Sequence, residues 1–212
     1  MKNRTHYHFA KINGVNIFYR EAGPIEAPVL LLLHGYPTSS HMYRNLINDL
    51  SDPIKALWKD RNDQEAIKKC QAFHSLEGLK WQYTHSVPDV CLISPDNWEL
   101  DLRHLLRPEN DDIQIQMFYD YRNNVKQYPK WQEYLRTENP EMLIVYGKDD
   151  YIFPGIGAEA FKRDVKNLEF DLYPTGHFAL ESFGDEIAAT IKDFLDRKVG
   201  VMKQGKFRLT IV

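Results

Sequence analysis

Apolar and polar residues alternate on both sides of an Asn13-Gly14 dipeptide near the start of the chain. The apolar positions are Tyr7, Phe9 and Ile12 before the dipeptide and Val15, Ile17 and Tyr19 after it. A period of two is typical of β-strands, and Asn-Gly readily adopts the two positive φ angles of a type I′ turn. The pattern therefore predicts a β-hairpin, which ends before Gly23 and Pro24.

A solid apolar run at residues 29–33 lacks this alternation, which is typical of a strand covered on both faces in a parallel sheet. An amphipathic helix is predicted to follow at residues 42–50. The later elements predicted in this way are a strand at 142–146, a helix at 157–165, a strand at 168–173 and a closing helix at 187–195. Because strands and helices alternate at both ends of the chain, these ends are expected to form one sheet layer.

The segment between these ends differs in composition, since residues 53–136 hold all four tryptophans and no strong strand pattern. Prolines at four positions are expected to divide it into short helices, and these positions are Pro88, Pro95, Pro108 and Pro129. The predicted organisation is a core part at 1–52, a helical layer at 53–136, a second core part at 137–198 and a tail at 199–212. In the tail Phe207, Leu209 and Ile211 alternate, and a frayed end is favoured over an added edge strand.

Composition excludes several classes of protein. A net charge of -3, with 43% hydrophobic and 27% charged residues, is that of an ordinary globular domain and points to no nucleic-acid partner. The two cysteines, Cys70 and Cys91, lack CxxC spacing. The histidines other than His34 and His177 lack the spacing of metal ligands, so neither a metal nor another cofactor is expected. No apolar run is long enough to cross a bilayer or to form a signal peptide, so a cytoplasmic protein without a membrane partner is expected.

Polar residues that could carry chemistry follow the predicted strands. His34, Gly35, Tyr36 and Pro37 leave the end of the strand at 29–33, where open α/β sheets place their ligands. Glycine permits a tight turn there, and the amide of the next residue can point at a developing negative charge. The alternative is an ordinary loop in which Thr38 or Ser39 caps the next helix.

Asp150 and His177 each follow one of the two later strands, so they are expected to lie at neighbouring strand ends. A carboxylate that accepts the imidazole Nδ1 proton fixes the tautomer and leaves Nε2 to act as a base. Asp149 remains an alternative acid, because the sequence cannot separate adjacent carboxylates. A histidine after a glycine can also be a simple turn residue, and an aspartate pair can simply cap a helix.

Three motifs together resemble the α/β-hydrolases of the epoxide hydrolase and haloalkane dehalogenase branch. They are His34-Gly35-Tyr36-Pro37, Gly147-Lys148-Asp149-Asp150 and Thr175-Gly176-His177-Phe178, in this order and each after an apolar strand. The resemblance implies an α/β fold with a helical lid inserted in the core, and an oxyanion loop at the first motif. It further implies Asp150 as the triad acid, His177 as the catalytic histidine, and a small apolar epoxide, haloalkane or ester as the substrate.

The aromatic-rich segment at 53–136 resembles the lid of this family. Epoxide hydrolases use lid tyrosines to protonate the opening ring, which makes several aromatic residues candidates. They are Trp58, Tyr83, Tyr119 and Tyr121. Packing within a small helical layer is the commoner role of such residues and is favoured for most of them.

One part of the family pattern is missing. The family places its nucleophile on a strand-to-helix elbow before the lid, but no G-x-S-x-G motif is present, and Ser94 is followed by Pro95. The chain runs from its first helix into the lid near Asp52, as if two βα units of about 30 residues each were absent. The fold class predicted is thus α/β, a truncated α/β-hydrolase sheet flanked by helices.

Without those units, the strand at 29–33 is expected to pair with the strand at 15–19 or with that at 142–146. Two functions remain open. The first is an impaired hydrolase of small epoxides, haloalkanes or esters, which uses either an unrecognised nucleophile or a water molecule that His177 activates directly. The second is a non-catalytic remnant that binds small apolar ligands or forms homo-oligomers through uncovered sheet edges.

Overall fold

A computed structural model describes residues 6–22, 29–32, 51–199 and 208–211. The chain divides into two compact units, one of Met1–Thr38 with Ala188–Val212 and the other of Ser39–Ile187. The helix predicted at 42–50 lies outside the described residues. None of the helices in the described ranges is long and apolar enough to span a membrane.

The described strands and helices follow one another as the sequence pattern broadly predicts. The strands are β1 (His6–Ile12), β2 (Val15–Ala22), β3 (Val29–Leu32), β4 (Met142–Gly147), β5 (Leu168–Tyr173) and β6 (Arg208–Ile211). The helices are α1 (Ser51–Lys59), α2 (Gln64–Ala72), α3 (Leu76–Thr84), α4 (Pro95–Leu105), α5 (Asn110–Asp120), α6 (Arg122–Glu138), α7 (Gly155–Glu159) and α8 (Ala179–Phe194). Short 3₁₀ helices lie at Val90–Leu92, between α3 and α4, and at Ala160–Arg163, directly after α7.

The predicted hairpin is confirmed. Strands β1 and β2 pair antiparallel from His6 opposite Glu21 to Ile12 opposite Val15. The connecting Asn13 and Gly14 have φ angles of 50° and 85°, as a type I′ turn requires. Local turn chemistry therefore determines this element.

The C-terminal end of the chain is an inner strand, so the predicted frayed end is wrong. Strand β6 pairs antiparallel with β2 and parallel with β3, which gives the sheet order β1-β2-β6-β3. The predicted pairing of β3 with the strand at 15–19 is therefore wrong, because β6 lies between β2 and β3. The other predicted partner, the strand at 142–146, pairs with β5 instead. Pairing with β6 satisfies backbone groups that would be costly to bury without partners.

The strands β4 and β5 form a separate parallel pair, in register from Met142 opposite Leu168 to Gly147 opposite Tyr173. The strands predicted at 142–146 and 168–173 are thus confirmed. The described strands are assigned to a four-stranded sheet and a two-stranded sheet. The intervening helix, α7, is shorter than predicted and ends at Glu159, while α8 begins eight residues before the predicted Ile187.

The segment at 53–136 consists of helices joined by turns and contains no strand, in agreement with its sequence pattern. Pro95 begins α4 and Pro108 separates α4 from α5, but Pro129 lies inside α6, so the predicted break there is wrong. Helix α6 has no buried residue, so a carbonyl that loses its partner to proline can bond to water instead. Two apolar clusters hold the other helices together. One comprises Leu57, Ala66, Cys70, Ile115 and Phe118, and the other Leu79, Tyr83, Ile93 and Trp98.

His74 packs against the first of these clusters, with its ring stacked on Phe118 at a centroid distance of 5.6 Å. Its Nδ1 atom is buried and has no hydrogen-bond partner in the part of the chain that the structure describes. Burial lowers the pKa of His74 below its ordinary value of 6.5, and the nearby Asp111 carboxylate opposes this shift. The imidazole that packs against this cluster is therefore neutral at neutral pH.

Acidification is expected to destabilise the protein through His74. The stabilisation is complete above about pH 6.5, because His74 is neutral in both states there. As pH falls, the unfolded chain binds the proton first, and stability is lost until pH passes the lower folded-state pKa. The fall in Tm between about pH 8 and about pH 5.5 should be smaller in His74→Phe than in the wild type. Equal falls in Tm would contradict this account.

Candidate functional site

The turns that follow β4 and β5 are joined by backbone hydrogen bonds. The Lys148 amide donates to the Tyr173 carbonyl at 2.8 Å, and the Asp149 amide donates to the Thr175 carbonyl at 3.1 Å. The Asp150 amide bonds back to the Gly147 carbonyl at 3.2 Å, which closes the first turn. The parallel strands therefore bring their two C-terminal turns side by side.

Two glycines allow these backbones to approach closely. A Cβ atom on Gly147 would overlap the Gly176 carbonyl oxygen and lie 2.8 Å from the Thr175 carbonyl oxygen. A Cβ atom on Gly176 would overlap the carbonyl oxygen of His85, the residue that ends α3. A side chain at Gly147 would push the two turns apart, and one at Gly176 would push the histidine turn away from the end of α3, so the geometry of the site depends on both glycines.

Asp150 and His177 meet where the two turns adjoin. Nδ1 of His177 lies 3.0 Å from Oδ2 of Asp150, and the side chains are 22% and 2% exposed, respectively. Oδ1 of the same carboxylate accepts the Phe153 amide proton at 2.9 Å, and Oδ2 lies 3.1 Å from the Tyr146 hydroxyl. A buried carboxylate with several donors is a stable acceptor, and it favours the imidazole tautomer that carries its proton on Nδ1.

Aromatic rings enclose the imidazole on two sides. The ring centroid of Phe153 lies 5.0 Å from that of His177, and that of Phe178 lies 4.7 Å from it, both edge to face. Nε2 of His177 has no hydrogen-bond partner among the described residues. With its Nδ1 proton held by the acid, this nitrogen has a free lone pair and can act as a base.

The geometry separates the two adjacent carboxylates that the sequence leaves open. Asp149 is exposed, whereas Asp150 is buried and contacts the imidazole. Thr175, which is fully buried, shares a hydrogen bond of 2.8 Å with the Ser182 hydroxyl, and this bond ties the histidine turn to α8. Asp150 is therefore the acid that the structure pairs with His177.

Tyr83 is the lid candidate nearest this pair in the network of ring contacts. It stacks on Phe178 at a centroid distance of 4.1 Å, and its hydroxyl donates to Oδ2 of Asp101 at 2.8 Å. Burial raises the pKa of Tyr83 above its ordinary value, and the hydrogen bond to Asp101 raises it further. The hydroxyl therefore stays protonated and bound to Asp101, which agrees with a packing role.

The other lid candidates mainly contact residues of the same helical segment, and Tyr121 also packs near the acid turn. Trp58 donates from Nε1 to the Phe118 carbonyl at 2.8 Å and stacks on Tyr121 at 6.4 Å. Tyr121 accepts a hydrogen bond of 3.1 Å from the Tyr128 hydroxyl. The ring of Tyr119 lies under the Arg122 guanidinium at 3.6 Å. Tyr121 and Phe153 both pack against Ile152, so Tyr121 is close to the residues that follow the acid turn.

The predicted oxyanion loop of His34, Gly35, Tyr36 and Pro37 lies outside the described residues. Sequence reasoning missed Tyr146 and Phe153, although both contact Asp150. A hydroxyl-bearing residue in an otherwise aliphatic strand was the available signal for Tyr146. No group of three metal-ligating side chains is found in the described ranges.

Comparison with curated proteins finds relatives among hydrolases. The chain is 28% identical to the uncharacterized hydrolase YNR064C of Saccharomyces cerevisiae, in an alignment that covers 84% of this chain and 93% of the yeast protein. It is also 28% identical to a haloalkane dehalogenase of Bradyrhizobium diazoefficiens over 62% of this chain and 43% of that enzyme. No family model matches the chain.

The alignment with the yeast protein extends over 269 positions, whereas this chain has 212 residues. Because the alignment covers 84% of this chain, about 178 residues, about 91 of the 269 aligned positions have no counterpart in this chain. The relative thus has more residues within the aligned region than this chain does.

Solved structures with the same fold include hydrolases of several kinds. A 2-hydroxy-6-oxo-6-phenylhexa-2,4-dienoate hydrolase of a Rhodococcus strain matches with a TM-score of 0.65 at 13% identity, over 92% of this chain and 99% of that one. An epoxide hydrolase of Vigna radiata matches with a TM-score of 0.59 at 14% identity, over 91% and 98% of the two chains. A haloalkane dehalogenase of Bradyrhizobium elkani matches with a TM-score of 0.53 at 14% identity, over 90% and 99%. At these identities the likeness establishes a shared fold.

Proposed function

We propose, since the chain has the α/β-hydrolase fold, that it is an impaired hydrolase of small apolar esters, epoxides or haloalkanes. In this proposal His177 activates water directly, without a covalent nucleophile. One observation carries the proposal: His177 Nδ1 lies 3.0 Å from the buried Asp150 carboxylate, while Nε2 has no partner in the described ranges. Nε2 of an imidazole in this state can accept a proton from water as a general base.

The proposed reaction balances without any further group. The water oxygen forms a bond to the electrophilic carbon of the substrate while its proton moves to Nε2 of His177. Asp150 stabilises the imidazolium that results. For an ester, the tetrahedral intermediate then collapses, the bond from carbon to the alkoxide oxygen breaks, and His177 returns the proton to the alkoxide.

The apolar class of substrate follows from the surroundings of the pair. Phe153 and Phe178 flank the imidazole, so a substrate approaching it meets aromatic carbon. Three exposed apolar side chains also follow the two turns closely in sequence, and they are Tyr151, Ile156 and Leu180. Apolar surface of this kind favours small apolar ligands over charged ones.

Two observations support the proposal that the sheet lacks a segment near Asp52 and that hydrolysis is therefore impaired. The alignment with the yeast hydrolase has about 91 positions without a counterpart here, enough for the two βα units of about 30 residues each that are expected to be absent near Asp52. In addition, every residue from Met142 to Tyr146 in β4 is only partly buried, although a solid apolar run is typical of a strand covered on both faces. A sheet that has lost neighbouring strands would leave β4 in this condition.

Ester turnover tests the proposal. The wild-type protein should hydrolyse a p-nitrophenyl ester or styrene oxide slowly, and His177→Ala should lose about 10²-fold or more, the usual contribution of a general base. His104→Ala is the matched control, because His104 is exposed and lies in the lid. Equal activity in His177→Ala and the control would reject the proposal, as would no turnover by the wild type.

The second candidate function is a non-catalytic remnant that binds small apolar ligands, and the shortfall in aligned length favours it. It predicts that a small apolar ester or epoxide raises Tm without being consumed. Steady multiple turnover would exclude it. The cytoplasmic location and self-association through sheet edges stay predictions.

A further inference from the structure

Tyr146 lies beneath the Asp150–His177 pair, on the strand that leads into the acid turn. Its hydroxyl lies 2.7 Å from the Phe153 carbonyl oxygen and 3.1 Å from Oδ2 of Asp150. Oδ2 is also the oxygen that faces Nδ1 of His177. One hydroxyl therefore touches both the acid of the pair and the residue that flanks the imidazole.

Three contacts among Phe153, Asp150 and His177 form a closed ring that includes the imidazole, and Tyr146 is hydrogen-bonded to two of these residues. Tyr146 binds the Phe153 carbonyl, the Phe153 amide binds Oδ1 of Asp150, and Oδ2 of Asp150 binds His177. The Phe153 ring then packs edge to face against the same imidazole at 5.0 Å. Because each contact constrains the next, the loss of the hydroxyl would loosen both the carboxylate and the aromatic wall.

The hydroxyl has one proton and two acceptors. The shorter distance, to the Phe153 carbonyl, marks the main acceptor, and the carboxylate at 3.1 Å shares the same proton. Burial raises the pKa of Tyr146 above its ordinary value, and the Asp150 charge raises it further. The hydroxyl therefore keeps its proton at neutral pH and remains a donor.

We infer that Tyr146 is a positioning residue, whose hydroxyl holds Asp150 and Phe153 in the orientation that keeps the His177 proton on Nδ1. The inference rests on the proposed function only for its effect on rate, since the tautomer of His177 is a property of the free protein. If Tyr146 only filled space between β4 and the acid turn, its hydroxyl would leave the tautomer unaffected.

The test compares Tyr146→Phe with a matched variant, Tyr128→Phe. Both changes remove a tyrosine hydroxyl that is hydrogen-bonded and has a raised pKa, but the Tyr128 hydroxyl binds Tyr121 in the lid. Long-range ¹H–¹⁵N spectra of the imidazole report which ring nitrogen carries the proton. Wild type and Tyr128→Phe should have His177 protonated on Nδ1, whereas Tyr146→Phe should shift towards the Nε2-protonated form that free imidazole side chains prefer.

An Nδ1-protonated His177 in Tyr146→Phe, or an Nε2-protonated one in the wild type, would overturn the inference. A second measurement needs no variant: the Tyr146 hydroxyl proton should exchange with water far more slowly than that of Tyr134, which is 60% exposed. Equal exchange rates would also overturn it. Ester hydrolysis by Tyr146→Phe should fall about tenfold, as for loss of one hydrogen bond to a charged group. If the wild type has no activity, the proposed function fails, and the tautomer still decides the role of Tyr146.

Discussion

Gly147→Ala should lower the free energy of unfolding by about 3 kcal/mol, which corresponds to a fall in Tm of roughly 6–12 °C. The added methyl group would overlap the Gly176 carbonyl oxygen and crowd that of Thr175. Both obstacles are backbone atoms, so no side-chain rotation can relieve them. The acid turn and the histidine turn must therefore separate, and hydrolysis should fall together with stability.

Gly184→Ala provides the control for this prediction. Gly184 lies in α8, and no atom beyond its chain neighbours and its own helix backbone lies within 4 Å of the position that its Cβ would take. Alanine is also the better helix former, so this change should leave Tm the same or raise it slightly. Thermal unfolding of the two variants side by side measures the difference. A Gly147→Ala protein as stable as the control would show that the two turns do not lie this close.

Asp150→Asn should lower hydrolysis by about 10²- to 10⁴-fold with little change in shape. An asparagine can turn its NH₂ group towards Nδ1 of His177, which would then lose its proton and leave Nε2 protonated and unable to act as a base. The asparagine keeps the size of the aspartate, so the packing around Phe153 and Tyr146 should be retained. The loss should therefore appear in kcat more than in KM.

Asp149→Asn is the matched control, since it removes the same charge from the neighbouring residue, whose side chain is exposed. Its rate should remain close to that of the wild type. Steady-state kinetics of both variants on one p-nitrophenyl ester provides the comparison. Similar losses in the two would mean that net charge near the turn matters, and not the contact with His177.

Local chemistry explains which parts of the fold the sequence predicts well. Asn13-Gly14 requires a tight hairpin whatever the rest of the chain does, and the structure has that turn. The strands β4 and β5 are apolar runs followed by polar turns, so their ends, and the approach of Asp150 to His177, follow from the order along the chain. Each of these features is encoded within a few residues.

The elements that were missed depend on residues far apart in sequence. Arg208–Ile211 shows only a short alternation, and its place between β2 and β3 is set by partners that lie almost the whole chain away. Pro129 was expected to end a helix, because the pattern does not reveal that its helix has no buried face. Tyr146 looks like a core aromatic in a strand, and its role emerges only when the acid turn folds back over its hydroxyl.

The central claim is that water attacks the substrate under the control of His177, with no bond formed between substrate and protein. Intact-protein mass spectrometry of samples quenched during turnover of a p-nitrophenyl ester tests it most directly. The account predicts that the protein keeps its unmodified mass at every time point while product accumulates. An acyl adduct that forms and decays as fast as product appears would contradict it, and the labelled residue would identify the nucleophile.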